Sequence, residues 1–183
     1  MPEDRPEISA CSCTLTFDES YGTLPPAYKR NEYTLMNQYP DILNGLSDAL
    51  RVSALRSTMP TFSVSDNAPD NHADMQRAYS TLGRLVIWPG GSDRTVWGDA
   101  RANWLFRAWH DWTHIRSGAC RYVDCFTPEE ERYIANVQYQ GQGTAFSRIL
   151  QIEIADQATH YERTGQFIDD QIAFAVQRLK EAR

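Results

Sequence analysis

Residues 103–115 read NWLFRAWHDWTHI, and this stretch decides both the fold class and the candidate site. Asp99 is suited to cap a helix here, alanine, leucine and arginine favour its interior, and Gly118 supplies an end. Because a helix turns 100° per residue, His110 and His114 fall on one face, one turn apart. The opposite arc carries the apolar residues Leu105, Ala108, Trp109, Trp112 and Ile115. The sequence therefore predicts a helix packed along this apolar stripe.

The other face of this helix is polar, since Asn103 and Arg107 share it with the two histidines. Two imidazoles at positions i and i+4 can share one metal ion, as they do in helical zinc sites. The alternative interpretation is a solvated polar face of an amphipathic helix. Two of the four histidines lie in this one turn without lysine or glutamate among them, which favours a metal site.

The composition predicts one soluble globular domain. The chain has 183 residues, of which 42% are apolar and 23% charged, as in ordinary soluble proteins. We expect no membrane partner, because no apolar stretch approaches the length of a membrane helix, and no secretory signal is recognisable. The net charge of -6 argues against nucleic-acid binding. A cytoplasmic protein is expected, and homo-oligomerisation is left open.

The four cysteines form two pairs, Cys11 with Cys13 and Cys120 with Cys125. In a cytoplasmic protein the default is reduced thiols. A structural zinc site of four thiolates is the alternative, but the spacings are poor matches to the usual zinc knuckle. The sequence therefore favours thiols without a metal or disulfide role.

The chain is predicted to be mainly α, a single-domain helical bundle with an irregular N-terminal part and a short strand pair. We expect a loosely ordered arm over residues 1–27 and one helical domain over residues 28–183. Beside the central helix, the periodicity predicts helices over about 41–56, over 128–139 and 144–163, and from about 168 to the end. A further helix is expected to be capped by Asp70 or Asn71, with His72 in its first turn as a capping or exposed residue. Extended pieces are expected at 61–64 and 85–88.

Glu153 is the second informative residue. On the helix predicted over 144–163 it falls beside Phe146, Ile149 and Leu150, so it should project from the buried face. A buried carboxylate must be paired, hydrogen-bonded or bound to a metal. Three interpretations stay open: a metal or substrate contact, an ion pair with Arg107, and a stripe that is partly exposed.

A third carboxylate comes from the run Glu129-Glu-Glu131. Thr127 and Glu130 form a capping box, with proline at the first helical position. Acidic residues in a first helical turn commonly complement the helix dipole. Because Glu130 is the natural capping partner, Glu131 is left for another role at the edge of the buried face.

The pattern His110-Asp111-x-x-His114, followed by a helix-starting Glu131, resembles the HDxxH-x11-E zinc motif of the coenzyme Q biosynthesis proteins, whose fold is helical. The resemblance covers about twenty-five residues, and it implies zinc at these four positions. The spacing departs from that motif, since sixteen residues separate the last histidine from the glutamate. From about Asp66 onward the chain also resembles uncharacterised proteins of tailed bacteriophages, in patterns such as NWLFRAWHDWTH and EIADQ. That resemblance implies a host cytoplasm but no activity.

Two further families share parts of the pattern. HD-type phosphohydrolases use a histidine, a His-Asp dyad and a distant aspartate around a divalent ion, roles that His72, His110-Asp111 and either Asp156 or Asp169 could fill. A zincin-like peptidase requires glutamate after the first histidine, whereas Asp111 is one methylene shorter. A lone His-Asp dipeptide is weak evidence for the first family, and the shorter acid argues against the second.

We therefore predict a metalloprotein with a divalent cation, zinc before iron or manganese. The predicted ligands are His110, His114 and carboxylates among Asp111, Glu131 and Glu153. An open position on the ion would make it a hydrolase, with a remaining carboxylate as general base.

Arg107 is predicted to hold a phosphate or carboxylate of the substrate, which makes a small anionic metabolite or nucleotide the expected partner. Two alternatives remain: a non-haem iron oxidoreductase with two histidines and one carboxylate, and an accessory protein whose metal only braces the bundle. An open coordination position next to Arg107 would favour catalysis, and a closed four-ligand site would favour bracing.

Overall fold

The computed structural model describes residues 46–118, 127–139 and 144–181. The predicted arm over 1–27 and all four cysteines lie outside these ranges. Within them the chain is mainly α-helical, which confirms the predicted fold class. None of the described helices is long and apolar enough to span a membrane.

The elements follow the chain in a simple order. The helices are α1 (Leu46–Arg56), α2 (His72–Leu82), α3 (Ala100–Ser117), α4 (Pro128–Tyr139), α5 (Thr144–Gln151), α6 (Gln157–Thr164) and α7 (Gln171–Glu181). A π-helical turn, Ile152–Asp156, joins α5 to α6. The strands are β1 (Phe62–Val64) and β2 (Leu85–Ile87).

The ends of the helices follow the capping signals of the sequence. Asp99 accepts a hydrogen bond from the Ala102 amide at 2.7 Å, and Gly118 ends α3 in the left-handed conformation. At the start of α4 the Thr127 hydroxyl caps the helix as predicted, accepting from the Glu130 amide at 3.4 Å, and it donates to the Glu130 carboxylate at 3.2 Å. The predicted start of the last helix at about 168 is wrong by three residues, because Asp170 accepts a hydrogen bond from the Ala173 amide and so caps α7.

The two short strands pair in parallel, with Phe62 opposite Leu85 and Val64 opposite Ile87. Parallel strands require a crossover connection, and α2 supplies it between them. Leu85 and Ile87 are buried and pack against Ala108 of α3. The strand pair thus lies against the apolar stripe of α3 and supports the helix that carries the candidate site.

The main core surrounds the other side of α3. Trp97 is fully buried and stacks on Phe106, with ring centroids 4.5 Å apart. Phe146 of α5 packs against the rings of both Trp97 and Trp109. Because α3 is covered from several directions, its polar face is enclosed as well, and a solvated polar face is ruled out for Asn103 and His114.

Candidate metal centre

His110, His114 and Glu131 converge on one point between α3 and α4. The Nε2 atoms of the two histidines are 3.1 Å apart. Glu131 Oε2 lies 3.2 Å from His110 Nε2, and its Oε1 lies 3.3 Å from His114 Nε2. The ligand atoms of these three residues lie within 4.8 Å of one another, the arrangement that can hold a metal ion.

The spacing of the two imidazoles suits a tetrahedral ion. Zinc–nitrogen bonds are about 2.0–2.1 Å long, so two Nε2 atoms 3.1 Å apart would subtend roughly 100° at a shared ion. That angle is close to the tetrahedral value. Three protein ligands would leave a fourth position for water or substrate, as in catalytic zinc sites with two histidines and one glutamate.

Electrostatic interactions stabilise the arrangement of His110, His114 and Glu131 even without a cation. Burial alone would lower the pKa of His110, but the Glu131 carboxylate raises it to about 9. Burial alone would raise the pKa of Glu131, but His110 and His114 lower it to about 2. Burial and the neighbouring His110 lower the pKa of His114. At neutral pH the metal-free centre therefore holds an imidazolium, a neutral imidazole and a carboxylate.

Gln138 supports the first imidazole from α4. Its Oε1 lies 3.1 Å from His110 Nδ1, so that it accepts a hydrogen bond when Nδ1 carries the proton. This contact orients the His110 ring and leaves its Nε2 atom facing His114 and Glu131. Metal-bound histidines are commonly oriented in this way, by a hydrogen bond to the ring nitrogen that does not bind the metal. Gln138 follows Glu131 by seven residues, two helical turns, which is why both reach the same place.

His72 was expected to be exposed or to act as a cap, and that expectation is wrong. Its neighbour Asn71 supplies the cap of α2, accepting a hydrogen bond from the Asp74 amide. His72 is only 5% exposed and lies against His114, with ring centroids 6.4 Å apart. Burial lowers its pKa, and a hydrogen bond with the backbone of His114 opposes that shift. Three of the four histidines of the chain thus meet at one site.

Two further buried polar atoms at this centre have no hydrogen-bond partner among the described residues. They are His72 Nε2 and Gln138 Nε2. Buried polar atoms in native proteins are normally satisfied by protein, water or an ion. Their concentration around the three converging groups fits a centre that takes an ion with its bound water.

The other predicted ligands lie outside the converging group. Asp111 and Glu153 are not among the residues whose ligand atoms meet within 4.8 Å. Asp111 is half-buried, and burial raises its pKa to about 6 despite the nearby His110 and Arg107. Glu153 is 7% exposed, as its position on the helix predicted, and burial raises its pKa to about 8.

An ion pair between Glu153 and Arg107, one of the three interpretations of Glu153, is not formed. Arg107 makes no ion pair with Glu153 or with any other carboxylate of the described residues. Its Nη1 instead donates to the Trp88 carbonyl at 2.7 Å. Asp111 and Glu153 are nevertheless close enough to act on its pKa, which burial lowers.

The remaining candidates have structural partners. Asn103 is buried and donates to Ser92 Oγ at 3.0 Å, which ties α3 to the preceding loop. Asp156 pairs with Arg178 at 2.9 Å, and Asp169 is exposed. Neither aspartate joins the histidines, so the ligand pattern of an HD-type phosphohydrolase is not formed.

Comparison with protein-family models, with curated proteins and with solved structures finds no match.

Sequence reasoning missed two residues of the site, Gln138 and His72. The seven-residue spacing from Glu131 is a signal that could have identified Gln138. His72 carries no local signal, because a first-turn position next to a cap is usually exposed, and only tertiary packing buries it.

Proposed function

We propose that the protein is a metal-dependent hydrolase whose divalent cation is held by His110, His114 and Glu131. The convergence of two imidazole nitrogens and a carboxylate at 3.1–3.3 Å carries this proposal. Two histidines and one glutamate are a ligand set of catalytic zinc, in which the ion supplies a water of lowered pKa.

Asp111 is the candidate general base. It directly follows the first histidine, the position that carries the base in helical HExxH zinc sites. General bases work best when their pKa lies near the working pH, and burial has raised the pKa of Asp111 to about 6. Arg107, one turn earlier on α3, is the candidate for holding the anionic part of a small substrate.

The same three ligands support a second candidate. Two histidines and one carboxylate with open positions are also the ligand set of non-haem iron oxygenases. Metal identity separates the two proposals, since zinc supports hydrolysis and ferrous iron supports oxidative chemistry. A third candidate is a structural metal, favoured by the near-complete burial of His114 and Glu131.

The first experiment measures metal content in protein purified without added metal, followed by titration with Co²⁺, whose absorption reports coordination. We expect one ion per chain and a spectrum of four-coordinate cobalt with nitrogen and oxygen ligands. The variants His110→Ala, His114→Ala and Glu131→Gln should lose the ion and keep their helical circular dichroism.

Two matched controls accompany these variants. Glu129→Gln changes an exposed acid in the same helical turn as Glu131, and His160→Ala removes the histidine that lies elsewhere, against Phe174. Both should retain the ion. Full metal retention in His110→Ala/His114→Ala would rule out the centre.

Hydrolysis is then tested with p-nitrophenyl acetate and p-nitrophenyl phosphate, using the metal-loaded protein. Asp111→Asn should keep the ion and lower the rate by about 10²–10⁴-fold, the usual contribution of a general base. A wild-type ion with no exchangeable water and no turnover of either substrate would favour the structural role.

A further inference from the structure

Arg107 is held in place by a backbone carbonyl and an aromatic ring. Its guanidinium donates to the Trp88 carbonyl at 2.7 Å and lies 5.4 Å from the centroid of the Trp88 ring. A side chain at Gly90 would overlap that ring, so glycine is required for the tryptophan to lie across this turn. The backbone and the ring fix the position of the guanidinium, while its charge is left without an ion pair among the described residues.

Glu153 provides a second unsatisfied group close to the first. It lies in the π-helical turn, and its Oε1 has no hydrogen-bond partner among the residues that the structure describes. Burial raises its pKa to about 8, although a hydrogen bond from Gln157 and the charge of Arg107 oppose the shift. Single π-helical turns inside α-helices are frequent at functional sites. At neutral pH Glu153 is therefore a neutral acid that can donate a hydrogen bond.

We propose that Arg107 and Glu153 form a carboxylate-binding site beside the metal centre. Arg107 offers a fork of two N–H donors, which matches a carboxylate, and neutral Glu153 offers an O–H donor. Gln157, already in contact with Glu153, orients that acid. This site would give the proposed hydrolase a substrate class, small carboxylates. Binding of the carboxylate does not depend on the proposed function; only cleavage of a bond in the bound molecule does.

Charge balance favours a carboxylate over a phosphate. Asp111, with a pKa of about 6, is ionised at neutral pH and offsets the charge of Arg107. A bound carboxylate then adds one negative charge and a phosphate dianion adds two, and uncompensated charge away from water is unfavourable.

The position on α3 limits the size of the substrate. Arg107 precedes His110 by three residues, a rise of about 4.5 Å along the helix axis. A molecule anchored at Arg107 can reach the metal centre with a bond close to its carboxylate. N-acylated amino acids have this arrangement, since an amide bond lies next to the carboxylate-bearing carbon.

The test is calorimetric titration of N-acetylglycine into the full-length chain, as purified and after treatment with a chelator. N-acetylglycinamide, which has the same amide without the carboxylate, and inorganic phosphate are titrated in parallel. We expect N-acetylglycine to bind in both preparations and the amide to bind in neither. Arg107→Lys should weaken binding about tenfold or more, because lysine cannot make the two-pronged contact.

The pH dependence of N-acetylglycine binding tests the role of Glu153. Arg107 is the charged group that acts on it, and Asp111 acts on Arg107 with a pKa of about 6, well below that of Glu153. Binding should weaken as the pH rises through about 8, because ionised Glu153 repels the carboxylate and attracts Arg107 to itself. Glu153→Gln should bind at pH 6.5 within about twofold of wild type and lose the dependence near pH 8, since its amide still donates.

Two exposed residues serve as controls. Arg101→Lys on the same helix and Glu162→Gln on α6 should leave binding unchanged. Equal affinity in wild type and Arg107→Lys, or no binding of N-acetylglycine by wild type, would overturn the proposal. Tighter binding of phosphate than of N-acetylglycine would overturn the carboxylate assignment. Because the chelated protein is included, loss of the metal centre and loss of the carboxylate site are separate outcomes.

Discussion

Binding of a divalent cation at pH 7 should release one proton, and that proton should come from His110. The Glu131 carboxylate raises the pKa of His110 to about 9, so this imidazole is protonated in the metal-free protein. A histidine binds a metal through its neutral imidazole, so the proton must leave His110 before the ion can bind. Glu131, with a pKa of about 2, is already ionised and releases none.

The size of the effect follows from the difference between the pKa and the pH. Removing a proton two pH units below the pKa costs about 2.7 kcal/mol, at 1.36 kcal/mol per unit. The apparent affinity at pH 7 should therefore be roughly a hundredfold below its plateau. It should rise about tenfold per pH unit and level off above pH 9.

Calorimetry in buffers of different ionisation enthalpy measures the protons released, and competition with a chelator of known affinity measures the pH dependence. The pKa itself is checked without metal, by NMR titration of the His110 imidazole in the metal-free wild type and in metal-free Glu131→Gln, where burial without the carboxylate should lower it. A wild-type release near zero at pH 7 would refute the reasoning, because it would mean that His110 is neutral in the metal-free protein and is not paired with Glu131.

Three other predictions concern single positions around the site. Gln138→Leu should keep one ion per chain and weaken the affinity about 10–100-fold, measured by chelator competition, because the imidazole loses its orienting contact. Gly90→Ala should displace the Trp88 ring, which a changed tryptophan emission would report, and unchanged emission would contradict the packing. In the metal-free protein, the free energy of unfolding should fall as the pH rises from 6.5 through about 9. The pKa of His110 is raised in the folded protein, so its stabilising contribution is complete below the unfolded pKa of 6.5. That contribution is lost as the pH rises through the folded pKa of about 9. A free energy of unfolding that stays constant over this range would contradict the prediction.

Local signals in the sequence predicted the helices because each signal acts over one turn. Asp99 and Thr127 accept from amides three residues away, and both cap their helices as predicted. The same local reasoning assigned Glu131 to the site, because Glu130 was already used by the cap. The helical periodicity of the apolar residues was sufficient to predict the fold class.

Tertiary packing determines features of the site that local sequence patterns do not indicate. His72 is buried by α3, which lies far along the chain, and no pattern around it indicates that contact. The π-helical turn was missed because the positions on the helix were calculated at 100° per residue throughout. Glu153 was correctly predicted to be buried, yet the same calculation could not tell a position at the metal from one beside Arg107.

Two acids whose pKa burial raises bear on the choice between the proposed hydrolase and a structural metal. A structural ion needs its ligands and their supporting contacts, which His110, His114, Glu131 and Gln138 already supply. Asp111 and Glu153 add nothing to that coordination, and yet burial raises the pKa of Asp111 to about 6 and that of Glu153 to about 8. Shifts of this size oppose folding whenever these groups are ionised in the unfolded chain. A bundle stabilised only by a metal would be more stable with apolar side chains at those two positions. Under the proposed function Asp111 would transfer the proton and Glu153 would hold the substrate carboxylate, so each acid would have a use that a bracing metal does not give it.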